Sequence, residues 1–479
     1  MSSPYRTNNP LEYAEVDGIV IDERSPSPNM RGVGTGTACL VGMFQRGVHS
    51  MEQVVSTKDF HKKYGKSNFL GNIQLKNKNF SNLKIIRVEA TGAAKATLTC
   101  DAKIKFTAKT KGAYGNKISV TIEAGSTSGK KYTIKDTNEG ANEIFPDEIF
   151  DNVAITDITP FLKSVLVDVE TLSTAAEPAA QVATMLAAGS EGTVADTDYE
   201  SAIAKAAVEN SCNILFLDEY SASRNQLMKL HAGETNDKIV ICSHGMDDTV
   251  AEIVTDLKLT RNADGRIVYA INWIPTTINA VEVVTSPAAW LASILSQTSP
   301  TIDPARASNT TFMWGANGVY MKELTRSDYK TFMAEGGSAF EYDQDLAGTG
   351  VKPRSGIVNQ IADTSKLTVV RRRMTDYLIN SFGRFLKLYQ NDVNRKEKRN
   401  EIKGAYLVWD NGQVKDGILP SDNEVSGGKA LLLDMESEND NDSLAEGKVY
   451  ILYKRRIFSS MRFIILKAEI GESVIVKEQ

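Results

Sequence analysis

Cysteine and histidine are scarce: Cys39, Cys100, Cys212, Cys242, His49, His61, His231 and His244 are all that 479 residues contain. No two cysteines are spaced Cys-x-x-Cys and no two histidines His-x-x-x-His, so neither a zinc site nor a dithiol redox site is expected. So few thiols also exclude a disulfide-dense secreted scaffold; they read as small buried hydrophobes in a reducing compartment. Long apolar runs are lacking too. The nearest, residues 268–300, is interrupted by Pro275, Glu282 and Pro287, so no membrane insertion is expected. The first residues have neither the basic nor the apolar region of a secretory signal, which points to a chain made and kept in a cytoplasm. A large charge of one sign is missing as well. With 55 basic and 60 acidic residues the net charge is −5, a poor balance for general nucleic-acid binding.

What is present is globular. Hydrophobic residues make up 42% of the chain, and at roughly 150 residues per domain the length fits about three domains. Residues 1–30 are polar and rich in proline around one β-branched run, Gly18, Ile19, Val20 and Ile21. That run predicts a short strand that must find a sheet elsewhere, in its own domain or in another chain. A strand at 35–44, a short helix at 58–64 and a strand at 83–88 give β-α-β order. Alternating stretches within 96–135, punctuated by Gly-Ala-Tyr-Gly-Asn, predict an inserted antiparallel β domain ending near 175. From about 196, helices alternate with buried-type strands at 212–217, 238–243 and 266–274, which predicts a mainly parallel sheet between helical layers. A helix follows at 286–297, with Ser286 as N-cap and Pro287 in its first position. A long helix is expected from Leu367 to about Glu401, on the spacing of Val370, Met374, Leu378, Phe382, Phe385 and Leu388. Strands are expected at 405–409, 448–453 and 463–466. A last terminal strand, Val474, Ile475 and Val476, follows Gly471. The acidic run 434–446 reads as an exposed loop.

Catalytic patterns fail on inspection. Residues 124–131 lack the first glycine and the magnesium-ligating hydroxyl of a phosphate loop. The glycine string 32–36 precedes a strand, where a dinucleotide motif would follow one. Cys242-Ser243-His244 has no Gly-x-Ser-x-Gly elbow around it, and Asp440-Asn441-Asp442 lacks the glycine and final glutamate of a calcium loop. No catalytic residue, metal or cofactor is assigned.

The order of segments nevertheless carries a resemblance. Gly18-Ile-Val-Ile-Asp-Glu23, Thr37-Ala-Cys-Leu-Val-Gly42 with Arg46-Gly47, and Ile85-Ile-Arg-Val88 resemble successive motifs of the contractile bacteriophage tail sheath family. So do Ala108 to Ile118, the most specific match, and Leu186 to Gly192 with Tyr199. Val370-Arg-Arg-Arg373 and Asp376 to Ser381 complete the series. Ala316-Asn317-Gly318 only partly echoes the family's Ala-Pro-Ala-Asn segment, and no Asp, His and Ser triad accompanies the subtilisin-like topology described for the middle domain.

The resemblance implies an α/β and α+β multidomain subunit. Its parts are an N-terminal arm (1–30), an α/β segment (31–95), a β-sandwich insert (96–175), an α/β middle domain (190–360), an inner C-terminal domain (365–470) and a C-terminal arm (471–479). It implies a non-enzymatic helical homo-oligomer around a tail tube protein, bounded by baseplate and tail terminator proteins. The sheath would assemble in the bacterial cytoplasm and contract without fuel, driving the tube through an envelope for genome delivery. Phage-tail-like bacteriocins and extracellular injection systems use similar sheaths; an α/β hydrolase or nucleotide-binding enzyme is the remote alternative. The arms would exchange strands between subunits, or else complete their own sheet. Residues 366–404 hold 11 basic and 4 acidic residues, a local charge of +7. Within this stretch Arg384, Lys387, Arg395, Lys396, Lys398 and Arg399 are candidates to face an acidic tube; a solvated helix and nucleic-acid binding are the other readings.

Overall fold

The computed structural model of the protein describes residues 5–6, 20–21, 30–65, 80–138, 146–209, 211–235, 238–278, 281–306, 316–343, 350–363, 367–425, 428–437, 439 and 448–458. They fall in two units. The larger lies within residues 34–373; the smaller joins 374–458 to the segment ending at Val33.

The larger unit is organised by an eight-stranded sheet. Its spatial order is 350–353, 337–343, 267–271, 239–243, 214–217, 37–42, 82–87 and 52–54. The six inner strands run parallel, and the strand at each edge is antiparallel to its neighbour. Parallel strands are covered on both faces, which is why Ile214–Leu217, Ile239–Ser243 and Ile267–Ile271 are buried at every position. Alternation sorts them: Leu40, Ile85, Phe216, Ile241 and Val268 pack on one side with the helix Pro287–Gln297, whose Trp290 is fully buried. Val41, Ile86, Leu215, Val240 and Tyr269 face the other way, against Ile203, Met228, Ile253 and Phe332 of the helices Asp196–Ala207, Ala222–Thr235, Val250–Leu259 and Arg326–Ala334. Pro287–Gln297 is apolar all round because it is buried all round. No described helix is long and apolar enough to cross a membrane.

Between strand 82–87 and helix 196–207 lie two antiparallel sheets. One has the order 148–153, 130–136, 118–124, 181–185, the other 167–171, 104–111, 95–100. They share a core of Phe106, Ile122, Tyr132, Ile134, Phe161 and Val167, with the rings of Tyr132 and Phe161 edge to face at 5.0 Å. The strand Gln181–Met185 extends this β region past the expected limit near 175. Its sequence is short and uncharged, and its pairing with 118–124 is what assigns it there.

Two expectations for the smaller unit are overturned. The single long helix is broken into Val369–Leu386 and Lys396–Lys415, with a single 3₁₀ turn at Lys387–Tyr389. The break falls on Gln390-Asn391-Asp392, where Asn391 takes φ +68° and the Asp392 carboxylate accepts the Val393 N–H. Asn and Asp satisfy the local backbone outside a helix and end it. The expected strand 405–409 lies inside the second helix. Its β-branched and aromatic run misleads; Ile402, Tyr406 and Trp409 are buried at helical spacing and Val408 is 73% exposed. The expected strand 448–453 is found at Leu452–Arg455, paired with Leu431–Asp434. The expected strands at 463–466 and 474–476, and most of the acidic run, lie outside the described residues.

Candidate functional site

The smaller unit is a compact aromatic cluster carrying a narrow ribbon. Met374, Leu378, Phe382 and Phe385 form the buried stripe of the first helix. Phe382 meets Tyr406 of the second helix at 4.7 Å. The ribbon, Leu431–Asp434 with Leu452–Arg455, is fastened there twice. The Tyr406 hydroxyl bonds the Tyr453 hydroxyl at 2.7 Å. Arg455 Nε donates to Asp410 Oδ1 at 2.8 Å, both side chains almost wholly buried. Burial still raises the Asp410 pKa, against the pull of Arg455. Among the described residues neither ribbon strand has a second neighbour. Two strands alone are marginal, and among the described residues both outer edges lack a pairing strand.

The N-terminal run is only partly described. Val20–Ile21 pairs in parallel with Tyr5–Arg6, a two-residue contact inside the same terminal segment. Gly18, Ile19 and Val474–Val476 lie outside the described residues. Met30 is buried, and the Val33 N–H donates to Ser381 Oγ at 3.0 Å.

The basic candidates divide. Arg384, Lys387, Arg395 and Lys396 are exposed. Beside them stand exposed apolar side chains, Leu388 at 62% and Val393 at 59%. Lys398 is drawn between Asp392 at 3.4 Å and Glu401 at 3.2 Å. Arg399 is 8% exposed, forks onto Glu436 at 3.2 and 3.3 Å and donates to Asn394 at 2.9 Å. It holds the helix to the segment after the ribbon's first strand and is not an outward cation. Its neighbours Arg395 and Lys396 gave no hint of this; the signal lay in the 3–4 spacing with Ile402 and Tyr406.

Several motif segments singled out in the sequence converge on one node in the larger unit. Arg87 is buried and donates to Phe44 O and Lys111 O at 2.9 Å each, and to Gly47 O at 3.4 Å. Glu191 lies 3.8 Å away and accepts the Ala113 N–H at 2.8 Å. The Tyr114 hydroxyl bonds Asp136 and accepts from Arg46 Nη1 at 3.2 Å. Burial pushes the Tyr114 pKa up to about 12. Asn116 exchanges two 2.8 Å bonds with the Gly189 backbone. Gly112 sits at φ +117°, and a Cβ on Gly115 would lie 2.8 Å from the Cβ atoms of both Ala96 and Ala108. The Gly-Ala-Tyr-Gly-Asn string is therefore a structural joint between the β insert and the central sheet.

Neither a protein-family model nor a curated protein sequence matches the chain. Solved structures do. The sheath tail protein of Desulfitobacterium hafniense is similar at a TM-score of 0.65 and 14% identity, over 92% of this chain and 100% of that one. A sheath tail protein of Listeria innocua gives 0.64 and 15%, over 89% and 96%. The contracted helical sheath of the anti-feeding prophage gives 0.59 and 11%, over 95% and 99%.

The fold is that of the contractile tail sheath proteins.

Within this sheath fold the catalytic suspects have structural work. Ser243 Oγ donates to Ala270 O at 3.0 Å, and His244 Nε2 accepts the Asn272 N–H at 3.0 Å. The proton then sits on Nδ1, which donates to Gly245 O at 2.6 Å. Burial drops the His244 pKa to about 4, so the ring is neutral. Residues 124–131 form a hairpin turn whose Thr127 and Ser128 N–H groups donate to Asn152 Oδ1. Among the described residues no three His, Cys, Asp or Glu side chains gather as metal ligands.

Proposed function

We propose that the protein is the structural subunit of a contractile sheath, polymerising helically around a tail tube and contracting to drive the tube through an envelope. The observation carrying this reading is the match to sheath subunits over 92% of this chain and the whole of one relative. The ribbon adds to it: a two-stranded sheet whose edges have no further strand among the described residues is suited to receive strands from neighbouring subunits. The arm residues Gly18–Ile21 and Val474–Val476 are the strands we assign to that exchange. The larger unit then comprises the subtilisin-like middle domain, without its triad, and the β-sandwich insert. The smaller unit is the inner domain, built from both chain ends.

Arg384, Lys387, Arg395 and Lys396 face the tube in this reading, with Lys398 partly neutralised and Arg399 removed from the set. Individually such exposed pairs are worth about 0–1 kcal/mol and are screened by salt, so they hold as a multitude and release on contraction. Self, tube, baseplate and terminator proteins are the partners; no fuel, cofactor or catalytic residue is required. A bacteriocin or extracellular injection sheath is the second reading, favoured by the anti-feeding prophage match.

Electron microscopy of the purified protein tests the proposal. Helical tubes are expected, and a persistent monomer with substrate turnover overturns it. Removing residues 1–22 or 472–479 should leave a folded subunit that no longer polymerises; normal tubes from both truncations would refute strand exchange.

A further inference from the structure

Where the β insert meets the central sheet, a cleft of about 540 Å³ opens on the surface. Four separate stretches of sequence bring cations to it. Arg46 follows a central strand, Lys62 and Lys63 come from the helix Thr57–Tyr64, and Lys95, Lys109 and Lys111 come from two insert strands. Only Glu52 and Asp59 among the lining residues are acidic, so six cations face two carboxylates. Partners just outside offset part of the excess: Asp168 lies 3.7 Å from Lys95 and 3.9 Å from Lys109, and Glu89 pairs with Lys111. Lys63 is held by Asp59 at 3.2 Å. Lys62 has no ion-pair partner among the described residues.

This concentration is out of keeping with a chain of net charge −5. Like charges gathered in a concave site with low-dielectric walls repel one another and focus a positive potential into it. The volume lies in the range of small-ligand sites and exceeds what one phosphate ion fills. The cations also come from two parts of the fold that both line the cleft, the helix as one bank and the insert strands as the other. An anion bearing several charges would satisfy both banks at once and tie the insert to the central sheet.

We infer that this cleft binds a small polyphosphate-type anion, with Lys62 and Lys63 on one bank and Lys95 and Lys109 on the other as its ligands. The site is independent of the tube-facing surface and of the strand exchange proposed above. Calorimetric titration of the full-length protein with inorganic tripolyphosphate, against sodium chloride at matched ionic strength, tests it. Saturable binding is expected, weaker for pyrophosphate and weakest for phosphate. The triple variant Lys62→Glu, Lys95→Glu, Lys109→Glu should bind at least about tenfold more weakly, while Lys330→Glu, on the distant helix Arg326–Ala334, should leave binding unchanged. Unchanged thermal melting of the triple variant would confirm that its loss is not unfolding. No saturable binding, equal loss in both variants, or binding of only nucleic acid or a second copy of the chain at this face would overturn the proposal.

Discussion

The central sheet and the C-terminal ribbon make opposite use of β structure. The sheet has eight strands, a helical layer on each face and inner strands buried at every position. The ribbon has two strands and is fastened along one side by Tyr406, Asp410 and their partners; among the described residues its edges have no further strand, and Leu432 is exposed. The first is complete within one subunit. The second, among the described residues, has one partner for each strand and no more. Changes in the sheet should therefore register as lost stability, and changes around the ribbon as lost assembly.

Trp290→Ala should have the largest effect. It empties the centre of the all-buried helix and should cost about 3–5 kcal/mol, read as a drop in the denaturation midpoint. Arg455→Ala strands the buried Asp410 carboxylate and should cost about 3–5 kcal/mol in the smaller unit alone. Hydrogen exchange should show the ribbon and the helix Lys396–Lys415 opening while the central sheet stays protected; simultaneous opening would break the contrast. His244 comes next. Its pKa is depressed in the folded protein, so the unfolded chain takes up the proton first. Its stabilising share is full above about pH 6.5 and is lost as pH falls toward about 4, roughly 3 kcal/mol in all. His244→Gln, which keeps an acceptor for Asn272, should flatten that acid limb in pH-dependent unfolding. Tyr453→Phe removes one hydroxyl bond and should cost about 1 kcal/mol. The quadruple change Arg384→Glu, Lys387→Glu, Arg395→Glu, Lys396→Glu should scarcely move the melting temperature yet prevent co-assembly with tubes; unchanged co-assembly would remove these residues from the tube face.

The legibility of the fold followed the same divide. Strands such as Ile239–Ser243 announce themselves because burial on both faces demands continuous apolar runs. The helix Pro287–Gln297 did so through its proline and its composition. The smaller unit was harder. Its second helix carries Ala405-Tyr-Leu-Val-Trp409, a run whose local preference is β, and tertiary packing of Tyr406 and Trp409 overrides that preference. The break after Tyr389 was hidden because hydrophobic spacing continues formally through Leu388, although that side chain points to solvent. Among the basic candidates, composition could not tell an outward cation from one turned inward. Arg395, Lys396 and Arg399 look alike in sequence, and only the partner Glu436, far along the chain, separates Arg399 from the others. The motif around Tyr114 was legible as a signature without revealing its role, because the role lies in contacts with Arg46, Asp136 and Gly189.

The joint at that motif bears on how the chain folds. The segments leaving and re-joining the central sheet run side by side, with Thr91 opposite Thr193, Ala94 opposite Ser190 and Thr97 opposite Ala187. Once the insert has formed from its own local hairpins, its two ends are already neighbours. The central sheet then closes across what is in effect a short loop and not across roughly a hundred residues, a saving in closure entropy of about 2 kcal/mol. A variant that frays this joint, such as Glu191→Ala, would slow the docking of strand 214–217 beside 37–42 more than it would weaken the finished protein.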